Sequence, residues 1–220
     1  MKRSVFIVVL LRICLPVSKL VNRISWRFGR PYRCRIEDIE AVSHYLTPGT
    51  VILTHRDYEC SSLFIPGYWT HAAVVLDQGR IIDATRKGVC INSAVSFFAT
   101  VDDFILLKPT FGGDERIANA CRIAAGLAGR PFSFTFRNTH RVFYCAGLVC
   151  WIYLQTFNQA EPGNLPNPLG DFVEGKIIRP IEFIFNADHW KVFACSAPVK
   201  KNAYEIFSAL SGRYSTTKKL

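Results

Sequence analysis

Apolar residues recur along this chain with two distinct periods. Val17, Leu20, Val21, Ile24 and Phe28 fall on one helical stripe and Lys19, Arg23, Arg27 and Arg30 on another, predicting a basic amphipathic helix after Pro16. The helical period returns at Ile117, Ala120, Cys121, Ala124, Leu127 and Ala128. It predicts a helix over Asp114–Ala128, capped by Asp114 and ended by Gly129 and Pro131. A further helix is predicted from near Cys145 through Trp151 to about Phe157. It is apolar nearly all round and should be central and buried.

Elsewhere the pattern shortens to strands. Pro48-Gly49 is a turn, and the β-branched run Thr50–Thr54 after it reads as a strand, as do Gly88–Ile91 and Phe104–Leu107. Trp69–Leu76 and Arg80–Ala84, joined through Asp77-Gln78-Gly79, predict the clearest hairpin. Ser61–Tyr68, broken by Pro66 and Gly67, reads as an apolar loop. Glu161–Gly170 reads as a second loop, and Ser211–Leu220 as a frayed basic end.

Length and composition bound the rest. With 220 residues, half of them hydrophobic and 13% aromatic, the chain has enough apolar surface for one packed domain and is not a largely disordered one. The division expected is a basic N-terminal segment over 1–35, a folded domain over 45–200 and a C-terminal segment over 201–220. The net charge of +10 would suggest nucleic acid if it were spread along the chain. Instead residues 1–35 hold nine Lys or Arg and no acidic residue, leaving 18 basic against 17 acidic in the remainder. A nearly neutral body has no basic groove, so no nucleic acid is expected, and the concentrated N-terminal charge suits an anionic membrane surface reached through residues 1–30. The same helix could equally dock on the domain with its basic face in water. The apolar run from Ser4 to Val17 that precedes this helix is shorter than the ~20 residues that span a bilayer.

Eight cysteines are scattered without a Cys-x-x-Cys pair, and no His stands at metal-ligand spacing, so mostly free thiols and no metal or cofactor are expected. The chemistry lies in Thr70-His71-Ala72, Ile82-Asp83-Ala84 and Tyr144-Cys145-Ala146-Gly147. A thiol attacks as thiolate, which a helix N-terminus and a nearby histidine both favour. Cys145 has the first feature, and His71 could supply the second. The alternative is a buried cysteine and a core histidine. In the hairpin, a three-residue loop puts His71 and Asp83 diagonally on one sheet face, whereas a two-residue Gln78-Gly79 turn puts them on opposite faces. Tyr144 could serve an oxyanion site or merely pack, and Tyr68 and Trp69 are candidate substrate contacts beside His71.

These segments, together with Pro48-Gly49-Thr50-Val51-Ile52-Leu53-Thr54 and Gly129-Arg130-Pro131-Phe132-Ser133-Phe134, resemble in order and approximate spacing the YiiX/YebB-like permuted papain-like peptidases of the NlpC superfamily, from about Thr47 to Ile184. The resemblance implies an α+β fold, a circularly permuted papain-like domain with an antiparallel sheet packed on a central helix carrying the cysteine. It implies a cysteine hydrolase of peptidase or amidase type, with the roles of nucleophile, base and orienting acid falling on Cys145, His71 and Asp83. Asp83 stands where the family usually has glutamate, and Ala146-Gly147 where it commonly has Ser-Glu. The fold also resembles the lecithin:retinol acyltransferase group, so a peptide and an acyl lipid are both candidate substrates. A non-catalytic binding module on the same fold is the remaining alternative.

Overall fold

The computed structural model describes residues 29–59, 65, 67–77, 79–135, 141–158, 178–185 and 190–196. The predicted N-terminal helix, apart from its last residues, the second loop and the C-terminal end lie outside them. Among the described residues no helix is long and apolar enough to cross a membrane.

Six strands form one sheet in the order β4-β3-β2-β1-β5-β6, every neighbouring pair antiparallel. They are β1 (Val51–His55), β2 (His71–Val75), β3 (Arg80–Thr85), β4 (Gly88–Ser93), β5 (Asp103–Pro109) and β6 (Trp190–Cys195). Around them lie α1 (Ile36–Val42), α2 (Ala94–Phe98), α3 (Asp114–Ala125), α4 (Cys145–Asn158) and the short α5 (Glu182–Phe185).

Alternation along the strands divides the core in two. Val51, Leu53, Ala72, Val74, Ile82, Ala84, Ile105 and Leu107 face α3 and α4. Ile52, Ala73, Val75, Ile81, Phe104 and Leu106 face the other way, onto Phe97 and Phe98 of α2 and Val42 of α1. Because helices cover both faces, the central strands read as continuous apolar runs. Helix α4 meets no solvent-facing side over Cys145–Cys150, which explains its lack of a polar stripe.

Helix α3 is shorter than its periodicity predicts. Gly113, not Asp114, is its N-cap, with no side-chain bond, and Asp114 and Glu115 instead sit in the first turn, where the helix dipole favours acids. Its end at Ala125 follows from bonding: Leu127 and Ala128 donate to Ala124 and Ala125, three residues back, so the chain tightens into a turn.

The β3–β4 turn is stitched to the segment leading to α4. Val89 N–H donates to Arg130 C=O and Gly129 N–H to Val89 C=O, each at 2.8 Å. Gly88 has φ +107°, and a Cβ there would lie 2.7 Å from the Arg130 carbonyl oxygen. Both partners are backbone, so Gly88→Ala should cost about 3 kcal/mol, from the strained φ and the overlap together, read as a lower denaturation midpoint.

Candidate active site

The hairpin settles the parity question. Leu76 N–H donates to Arg80 C=O at 2.8 Å, Arg80 N–H donates to Asp77 C=O at 2.7 Å, and Gly79 takes φ +74°. The loop therefore has three residues, with glycine at its left-handed position. Ala73 then pairs with Asp83, which places His71 and Asp83 diagonally on one face. His71 Nε2 lies 2.9 Å from Asp83 Oδ2.

Asp83 is buried, with 2% of its side chain exposed, and both its oxygens are used. The second, Oδ1, accepts from Asn92 Nδ2 of β4 at 3.1 Å. His71 is 13% exposed at the opening of β2, and its ring centroid is 6.3 Å from that of Phe97.

Cys145 is the first residue of α4 and is buried. Its thiol lies within hydrogen-bonding reach of His71, and the N–H groups of Ala146 and Ala72 also donate toward the sulfur. With Nε2 engaged by Asp83, the imidazole has Nδ1 for the thiol. Burial pushes the thiol pKa up, but the hydrogen bond and charge of His71 outweigh it, and the net shift is downward. For the imidazole, burial acts downward and is outweighed by hydrogen bonds to Asp83 and Cys145, so its pKa rises to about 9. The two shifts together favour a thiolate–imidazolium pair.

The aromatic candidates divide. Trp69 is buried in the core beneath α4, and Tyr144 is buried with its hydroxyl accepting from Ile178 N–H at 2.8 Å, so both brace the fold. Tyr68 alone is exposed. Of the remaining Cys and His residues, Cys150 is fully buried and His44 is an exposed ring against Tyr45, while His140 and His189 lie outside the described residues. All six described cysteines are free thiols.

A second polar cluster borders the site, and sequence reasoning missed it. His55 Nδ1 is 2.6 Å from Tyr68 C=O, its Nε2 is 2.9 Å from Asp57 Oδ1, and the ring stacks on Tyr68 at 4.1 Å between centroids. Arg33 pairs with Asp57 and with the buried Asp103, which also accepts from the Tyr68 hydroxyl and, at 3.2 Å, from Ser196. Asn92 was missed as well. An isolated asparagine near a strand end carries no signal that distinguishes it from a turn residue.

Comparison with known proteins agrees with this architecture. Residues 45–164 match the model of a family described as permuted papain-like amidase enzymes, YaeF/YiiX, C92 family. The crystal structure of the metalloprotein yiiX from Escherichia coli O157:H7 superposes with a TM-score of 0.53 at 14% identity, covering 68% of this chain and 97% of that one. At that identity the likeness is one of fold. No curated relative matches the chain. Among the described residues here, no group of three or more His, Cys, Asp or Glu side chains is placed to hold a metal ion. The match spans more than half of the 220 residues, and the chain belongs to the permuted papain-like amidase family of YaeF and YiiX.

Proposed function

We propose that this protein is a cysteine hydrolase of amide or closely related acyl bonds, with Cys145 as nucleophile, His71 as base and acid, and Asp83 as the carboxylate that orients the imidazole. The observation that carries the reading is the 2.9 Å His71–Asp83 contact beside Cys145, the first residue of α4. Family membership supports hydrolase chemistry.

The steps follow from these groups. The Cys145 thiolate attacks the carbonyl carbon, and the C=O π pair moves onto oxygen. Backbone N–H groups at the start of α4, that of Cys145 among them, are suited to stabilise that oxyanion. Collapse breaks the C–N bond, and the leaving amine takes its proton from His71. Water then attacks the thioester and gives its proton to the neutral imidazole, and the carboxylic acid departs as the thiolate is restored. Asp83 keeps Nε2 as the protonated partner throughout, so Nδ1 performs both transfers.

Intact-mass measurement after mixing with a panel of activated amides tests the assignment. An acyl adduct mapped to Cys145, competed by peptide amides, is the expected result. Competition by acyl lipids alone would redirect the substrate to lipid, and an inert Cys145 would turn the reading to a binding module. The pH dependence gives a second test. Because amine departure needs protonated His71, amide hydrolysis should hold through neutral pH and fall as pH rises through about 9. A fall centred near the ~6.5 of an ordinary imidazole would show that the pair is not formed.

A further inference from the structure

We infer that Asn92 is a positioning residue for the reaction proposed above, on which the inference rests: its amide N–H fixes the Asp83 carboxylate so that the other oxygen faces His71. Asp83 pairs in register with Cys90 of β4, and Asn92 lies two residues further along that strand. The alternation of the strand brings the Asn92 amide to the same face as a diagonal neighbour. Thus Asn92, Asp83 and His71 form a polar row across β4, β3 and β2, with contacts of 3.1 Å and 2.9 Å.

Three properties of this row give Asn92 a task. The first is reach. A buried aspartate has a short stem, so a small rotation of its carboxylate would carry Oδ2 away from the imidazole, and a donor on Oδ1 resists that rotation. The second is charge. A buried carboxylate needs hydrogen-bond partners in place of water, and the Asn92 amide gives Asp83 one on the oxygen that His71 does not use. The third is the choice of donor. A lysine or arginine would donate as well, but its positive charge would compete with His71 for the same carboxylate. A neutral amide supplies the N–H without that competition.

The groups around the row are few. Facing Asp83 are His71 from β2 and Cys90, its register partner on β4. Cys145 faces the imidazole from α4, and α2 contributes Phe97, which does not titrate.

Iodoacetamide alkylation of Cys145 in the full-length protein, followed by mass spectrometry across the acid and neutral range, tests the inference. In the wild type the rate should rise with an acid limb below that of an ordinary thiol. Asn92→Ala should move this limb upward and lower the rate at neutral pH roughly tenfold, the usual effect of deleting one hydrogen bond to a charged group. Asn92→Asp keeps the size but donates only when the new carboxyl is protonated. Its rate should therefore gain on that of Asn92→Ala as the pH falls. A wild-type profile in both variants, whatever their melting temperatures, overturns the inference and leaves the reaction standing. If Asn92→Ala does not fold, the isosteric Asn92→Asp decides by the same criterion. An inert wild-type Cys145 overturns the reaction and the inference together.

Discussion

Removal of either member of the thiol–imidazole pair should lower amide hydrolysis by about ten-thousand-fold or more, and removal of both should lower it no further, because nucleophile and base act as one unit. The variants are Cys145→Ala, His71→Ala and their combination, compared by kcat/KM on a small activated amide. His71→Ala carries a second, sharper expectation. Burial raises the Cys145 pKa, and the imidazole heads the interactions that lower it. Without that imidazole, only the backbone N–H groups oppose burial. The alkylation midpoint should then move upward, toward or beyond the ~8.5 of a free cysteine. An unchanged midpoint in His71→Ala would separate thiol from imidazole and remove the base from the mechanism.

A large effect on stability is also expected at Asp103, away from Cys145 and His71. Its side chain is fully buried and receives Arg33, Tyr68 and Ser196. Next to it, Asp102 accepts from the backbone N–H of Arg33 at 3.0 Å and of Asp57 at 2.7 Å. Together the two carboxylates tie Arg33, Tyr68 and the turn after β1 to the start of β5. Asp103→Ala leaves the Ser196 and Tyr68 hydroxyls to find new partners. Arg33, with 45% of its side chain exposed, can turn to water, which holds the loss near the lower end of that for a broken buried pair, about 3 kcal/mol. Urea denaturation measures it. A midpoint within error of wild type would show that the network is replaceable by solvent.

The sequence carried the central elements because their signals are local. The hairpin, with three loop residues and a glycine at the left-handed position, fixes which face His71 and Asp83 share, and the apolar run after Cys145 marks the central helix. Strand limits moved by a residue or two, since ladder bonds end where partners end: β1 is Val51–His55, β4 extends to Ser93 and β5 covers Asp103–Pro109. Helices α1 and α2 are too short to show a period, and β6 joins β5 from far along the chain. The same distance hid the Arg33 network, whose contact with Asp103 spans 70 residues. Trp69 and Tyr144 show a different limit: an aromatic close in sequence to His71 or Cys145 reads alike whether it is exposed or buried in the core.

The order in which these contacts can form has a consequence for the nascent chain. His71 and Asp83 are 12 residues apart within one hairpin, a closure that is fast and low in entropic cost. Cys145 arrives only on a helix that follows β4, β5 and α3, and it meets the imidazole only when that helix has docked on the sheet. In the proposed reaction, base and orienting acid can therefore be assembled while the thiol is still an ordinary protonated cysteine. Until docking is complete, Cys145 has no imidazole beside it to activate it against neighbouring proteins or toward stray disulfides. Thiolate reactivity at Cys145 is thus a readout of finished folding, and during refolding it should appear with the slowest native phase, after hairpin structure has formed.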